Sequence, residues 1–120
     1  MEKEVILTSV TDRSQAELLA QQLSKEGYEL VTANNVSELV DAINKKGNIA
    51  LAVIDMDAFD ETIWQHLDSL KKLNVPFIII SPGRSPSIQR DSVKHGASGL
   101  FTKGLHFKEL LEYIHTLLGK

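Results

Sequence analysis

The sequence predicts a doubly wound α/β domain: a five-stranded parallel sheet in the order 2-1-3-4-5 with helices on both faces. Three observations carry this prediction. Short apolar runs alternate five times with segments whose apolar residues recur at helical spacing. The central run, Leu51 to Ile54 in LAVIDMD, is apolar at every position, as expected of a strand covered on both faces. Parallel neighbours also need crossover connections, and right-handed crossovers through helices lay those helices on both sides of the sheet. For five strands wound in this way the common order is 2-1-3-4-5.

Val5 to Ser9 reads as the first strand. The segment Ser14 to Glu26 carries Ala16, Leu19, Ala20 and Leu23 on one helical face and stops at Gly27, a carboxyl-terminal cap. Tyr28 to Ala33 alternates as a strand does. Asn34 and Asn35 then open a helix whose Val36, Leu39, Val40 and Ile43 keep an i, i+3, i+4, i+7 stripe up to Gly47. The third strand ends at Asp55, and its helix, Asp60 to Leu73, places Ile63, Trp64, Leu67 and Leu70 on one face, which makes Trp64 a core residue. Pro76 to Ser81 is the fourth strand, followed by a loop punctuated by Pro82, Gly83 and Pro86. The helix from Ser87 to His95 is the weakest, with Ile88 and Val93 its only strong apolar anchors, so a loosely held element is expected there. Leu100 and Phe101 form a short fifth strand. His106 to Leu118 closes the chain as a helix with Leu110, Leu111, Ile114, Leu117 and Leu118 inward.

The 120 residues, 42% hydrophobic, suit one globular domain spanning residues 1–120. A net charge of −3 leaves no basic surface to neutralise many phosphates, which argues against direct nucleic-acid binding and for protein partners. With no cysteine there is no disulfide, thiolate nucleophile or zinc-thiolate site. The opening MEKEV is unlike a secretory signal, and no apolar run approaches the roughly 20 residues of a bilayer span. A cytoplasmic domain without membrane association is the expectation.

In a sheet of this order, ligands bind outside the carboxyl ends of the strands, where the order reverses between strands 1 and 3. That rim collects Asp12 from the SVTD loop, Asp55, Ser81 and Lys103: carboxylates, a hydroxyl and an ammonium in one shallow pocket. Each has a plainer reading alone. Asp12 is a good amino-terminal cap for the helix that follows, Asp55 is a loop acid, Ser81 is a strand end and Lys103 is a surface lysine. Together, in register, they are the expected form of a site. The four histidines, His66, His95, His106 and His115, lack the spacing of a metal cluster and read as solvated or helix-face residues.

The ordered set Asp55, Ser81 and Lys103, each at a strand end, resembles the phosphoacceptor aspartate, hydroxyl residue and lysine of the response-regulator receiver domains of two-component systems. GASGLFTKG, Gly96 to Gly104, and the turn Glu26-Gly27-Tyr28 are similar to that family as well, and the resemblance covers essentially the whole chain. It implies a regulatory domain, not an enzyme, that accepts a phosphoryl group on Asp55 from a histidine kinase or phosphotransfer protein and switches conformation in response. It also implies a magnesium ion, held here by Asp12, Asp55 and Asp57, the last lending its backbone carbonyl. An all-oxygen, partly hydrated site suits that ion. Lys103 would pair with the carboxylate and then the phosphoryl oxygens, and Ser81 would hydrogen-bond one of them.

The chain departs from the family pattern in places that matter. The two consecutive acids expected after strand 1 fall on Val10 and Thr11, with Asp12 one residue late; Phe59, Thr62 and Ile63 replace the proline and Asp-Gly of the loop after Asp55. Leu100 stands at the aromatic switch position, Pro82 at the small residue after the hydroxyl, and Gly104 at the proline after the lysine. Coupling through a rotating ring is therefore excluded, which leaves the fourth helix to carry the signal or the domain unswitched. The closest competing reading is a pseudo-receiver, a phosphorylation-independent interaction or dimerisation module. A remoter one is a flavodoxin-like FMN protein, whose hydroxyl-rich first loop TSVTDRS resembles; Asp12 would repel the phosphate there, and 6% aromatic residues are few to sandwich a flavin. The sequence is compatible with a stand-alone regulator, a homodimer or the front end of a protein with an effector domain.

Overall fold

The structure is a computed structural model that describes residues 4–45 and 48–119. Its elements alternate as expected: β1 (Val5–Thr8), α1 (Arg13–Lys25), β2 (Glu29–Thr32), α2 (Val36–Lys45), β3 (Ile49–Asp55), α3 (Ile63–Lys72), β4 (Phe77–Ser81), α4 (Pro86–Lys94), β5 (Gly99–Thr102) and α5 (Phe107–Leu117). The strands form one parallel sheet in the order β2-β1-β3-β4-β5. The expected end of the second helix at Gly47 lies outside the described residues.

The sheet is covered on both faces because its central strands are apolar at every position before their last, Asp55 in β3 and Ser81 in β4. Along β3, Leu51 and Val53 face one side and Ala52 and Ile54 the other; along β4, Ile78 and Ile80 oppose Phe77 and Ile79. The first set packs with Leu19 and Leu23 of α1 and Leu110 and Ile114 of α5. The second packs with Leu39 and Ile43 of α2 and Ile63, Trp64, Leu67 and Leu70 of α3. Period-two alternation in the strands meets period-3.6 stripes in the helices, which is how this sequence fixes two cores with one sheet.

Cap chemistry sets the helix ends. Asp12 caps α1, its side chain accepting from the Gln15 N–H, and the helix stops where Gly27 takes φ +94° while its N–H and that of Tyr28 reach the Ser24 and Leu23 carbonyls. α3 begins at Ile63 and not at Asp60. A single 3-10 turn, Met56–Ala58, intervenes, and the Asp60 carboxylate accepts from the Thr62 N–H and Oγ1 in a local turn that delays the helix.

One expected anchor is wrong. Val93 of α4 is 79% exposed. The face that α4 turns inward carries Ile88, half-buried, and Ser92, whose buried hydroxyl has no hydrogen-bond partner among the described residues. The helix is held at its end instead: His95 Nδ1 lies 2.8 Å from the Asp68 carboxylate of α3, and its ring stacks on buried Trp64 at 5.3 Å between centroids. Nor is His115 simply solvated, since its Nε2 lies 2.8 Å from the Glu26 carboxylate at the end of α1.

Candidate functional site

β3 delivers Asp55 to the carboxyl rim of the sheet. The strand's last residue is pinned by Ser9, just past β1, whose hydroxyl accepts from the Asp55 N–H at 3.0 Å and reaches the Val53 carbonyl at 3.4 Å. The chain then turns into the 3-10 segment, and the Asp57 N–H donates to Asp55 Oδ1 at 3.0 Å. The carboxylate is thus oriented by its own strand before any distant residue reaches it.

Three donors from two other loops converge on the opposite oxygen. Oδ2 of Asp55 accepts from the Thr11 N–H at 3.1 Å and from Thr11 Oγ1 at 2.7 Å, and lies 2.9 Å from Lys103 Nζ. The ammonium also lies 2.9 Å from Asp57 Oδ2 and donates to the Thr11 hydroxyl. Lys103 is placed by the end of β5, its N–H bonding the Ser81 carbonyl at 2.8 Å, and by Gly104, whose φ of +90° turns the chain away behind it. The Asp55 side chain is only 1% exposed, while Lys103 remains 29% exposed above it.

The electrostatics follow from these contacts. Burial pushes the Asp55 carboxyl up, but the Lys103 ammonium, the Thr11 hydroxyl and the N–H groups of Thr11 and Asp57 outweigh it and hold the group below the ordinary carboxylate value. Burial likewise pushes Lys103 down, and the bonds and charges of Asp55 and Asp57 reverse that and raise it. At neutral pH Asp55 is thus held as a carboxylate and Lys103 as an ammonium.

Of the residues read from the sequence, Asp55, Asp57 and Lys103 meet in direct contact. Ser81 reaches the same rim, buried, but its hydroxyl donates to the Gly83 carbonyl within its own loop. Beside it, Ser81 and Lys103 line the inner end of a groove of about 750 Å³ that continues past Leu100, Phe101 and Gln89 between α4 and α5. Asp12 does not join them: it is exposed and caps α1 through Oδ1, 3.1 Å from the Gln15 N–H. The expected metal set of Asp12, Asp55 and Asp57 is therefore not assembled, and no three acidic or histidine side chains among the described residues are placed to hold an ion. The two carboxylates that do converge share the Lys103 ammonium between them, so the residues present do not fit a magnesium site. The residue that sequence reasoning missed is Thr11. It was visible as an absent acid and as a hydroxyl of the TSVTDRS loop, and the signal that could have found it is its place in the loop, three residues past the end of β1 and facing the end of β3.

No family model matches the chain, and no curated protein matches its sequence. Solved structures do. The chain is similar to a response regulator receiver domain protein from Methanospirillum hungatei, at 25% identity and TM-score 0.81, covering 98% of this chain and 95% of that one. This chain has the receiver-domain fold. A response regulator from Thermotoga maritima matches at 17% identity and TM-score 0.79 over 99% of this chain and 100% of that one. A Burkholderia pseudomallei response regulator, described with a phosphorylated aspartic acid, calcium ion and citrate, matches at 18% identity and TM-score 0.75 over 98% of this chain and 69% of its own. Within the receiver fold this chain is atypical, because Val10 and Thr11 stand where the resemblance places two acids.

Proposed function

We propose that the chain is a regulatory receiver module of two-component signalling in which Asp55 accepts a phosphoryl group from a phosphohistidine donor. The observation that carries this reading is the position of Lys103 Nζ, 2.9 Å from both the Asp55 and Asp57 carboxylates. Bringing a carboxylate against a phosphoryl group joins two anions, and catalysis of that step consists of placing positive charge and donors where the transferred oxygens develop charge. An Asp55 oxygen attacks phosphorus; the O–P bond forms as the donor's N–P bond breaks, and that electron pair stays on the departing imidazole. Lys103 is the cation for the transferred oxygens, and the Ser81 hydroxyl, released from Gly83, is the neutral donor. The partners of this reading are a histidine kinase or phosphotransfer protein in the cytoplasm and an effector domain or target protein downstream.

Acetyl phosphate tests it without a cognate kinase. Intact mass of the wild type should rise by one phosphoryl group, and Asp55→Asn should show no rise. No gain in the wild type, or an equal gain in the variant, removes the proposal.

A second reading, a phosphorylation-independent docking or dimerisation module, is favoured by one observation: the Asp55 side chain is 1% exposed beneath Lys103, with three donors on a single oxygen. For a phosphodonor to reach the carboxylate, that cover must open. The flavin reading loses support, since Ser9 and Thr11, two hydroxyls of the loop that would hold a phosphate, are committed to the backbone and side chain of β3.

A further inference from the structure

We infer that the acidic site of this chain is satisfied from within, by the Lys103 ammonium and the Thr11 hydroxyl, and takes no divalent cation. The inference refines the acceptor reading of the same site and rests on it for the importance of Asp55, though not for the geometry. Strength of cation binding follows the number of charged ligands, and magnesium in particular sheds its water reluctantly. Asp55 and Asp57 supply two charges, and the third acid in the neighbourhood, Asp12, is exposed, turned to the α1 cap through Oδ1, and in contact with neither of them.

Thr11 occupies the ground a further carboxylate would hold, and both sides of its hydroxyl are in use. It donates to Asp55 Oδ2 at 2.7 Å and accepts from Lys103 Nζ. One lone pair is left, and a dication drawn to it would stand directly against the ammonium already bound there. Lys103 in turn sits 2.9 Å from an oxygen of each carboxylate. A dication bridging Asp55 and Asp57 would compete for that point and repel the ammonium, in a site that keeps a net charge of only −1 once the lysine is counted. The sequence change from acid to threonine and the position of the lysine are thus one arrangement: a single ammonium meets both carboxylates directly, and the threonine hydroxyl bridges it to Asp55 a second time.

Amide NMR of the labelled full chain, titrated with magnesium chloride to millimolar concentration, tests this directly. The wild type should show no saturable shift at Thr11, Asp55, Asp57 or Lys103, and its thermal midpoint should be the same with and without the ion. Thr11→Asp should acquire a saturable shift at those amides. A saturable wild-type shift that Asp55→Asn abolishes, or a magnesium-dependent rise in the wild-type midpoint, overturns the inference. A folded Thr11→Asp chain that remains silent overturns the part assigned to Thr11. Acetyl phosphate labelling in magnesium and in EDTA separates this from the acceptor reading. Equal gain in both supports the two together, and gain only with magnesium removes this inference and leaves Asp55 an acceptor. No gain in either, with the amides silent, removes the acceptor reading and leaves this one standing.

Discussion

Thr11 carries more of the site than its residue type suggests. Its N–H and hydroxyl both end on Asp55 Oδ2, and the same hydroxyl accepts from Lys103, so one side chain links the ends of β1, β3 and β5. Thr11→Val keeps the shape and the backbone bond but leaves a buried carboxylate oxygen one donor short, which should cost about 1–3 kcal/mol in urea unfolding. An unchanged midpoint would mean that the hydroxyl is solvated instead. Asp55, Ser81 and Lys103 were legible because strand ends in a parallel sheet converge by topology alone. Thr11 was not, because a threonine after a strand has no chemical signature until its partner's position is known. Asp12 takes the plainer of the two roles its position offered, its Oδ1 capping the next helix.

At the scale of elements, α4 stands apart. The stripes that identify α1, α3 and α5 bury two or more large apolar residues each, whereas α4 buries only Ser92 and exposes Val93. Spacing located the helix correctly and misread its orientation, because a lone valine among polar residues gives no moment to say which side is inward. What fastens the helix is His95, through Asp68 and the Trp64 ring. His95→Ala should therefore raise hydrogen-exchange rates across Gln89 to Lys94 while leaving α1 and α5 protected. Uniform protection across all five helices in the variant would show that α4 is held elsewhere. The helix borders the groove at whose rim Leu100, 38% exposed, replaces the expected aromatic ring.

For the whole molecule, strand order and layer assignment were legible because only one common winding satisfies five apolar runs with helical crossovers. The two cores lie on opposite faces of the sheet and share no side chains. Ile114→Val in α5 and Ile63→Val in α3 should each cost about 0.5–1.5 kcal/mol, and the double variant should equal their sum within about 0.5 kcal/mol. A larger deviation would mean that the sheet transmits strain between its faces. The two-sided packing fixes the strand ends, and fixed strand ends bring a carboxylate, a hydroxyl and an ammonium from distant parts of the chain together. The pH behaviour of the molecule follows. Asp55, lowered on folding, contributes stability that is complete above its unfolded value of about 3.9 and lost as pH falls through the folded one. Lys103, raised on folding, contributes fully below its unfolded value of about 10.4 and loses its share as pH rises through the folded one. The cluster is thus at full strength throughout the neutral range.

Carboxyl-carbon NMR titration of Asp55, in the wild type and in Lys103→Met, measures this convergence most directly. The wild-type midpoint should lie below the ordinary aspartate value, and removal of the ammonium should move it upward, because burial then acts with less to oppose it. A wild-type midpoint at or above the ordinary value, or the same midpoint in both proteins, would contradict the pairing of Asp55 with Lys103 on which the functional reading depends.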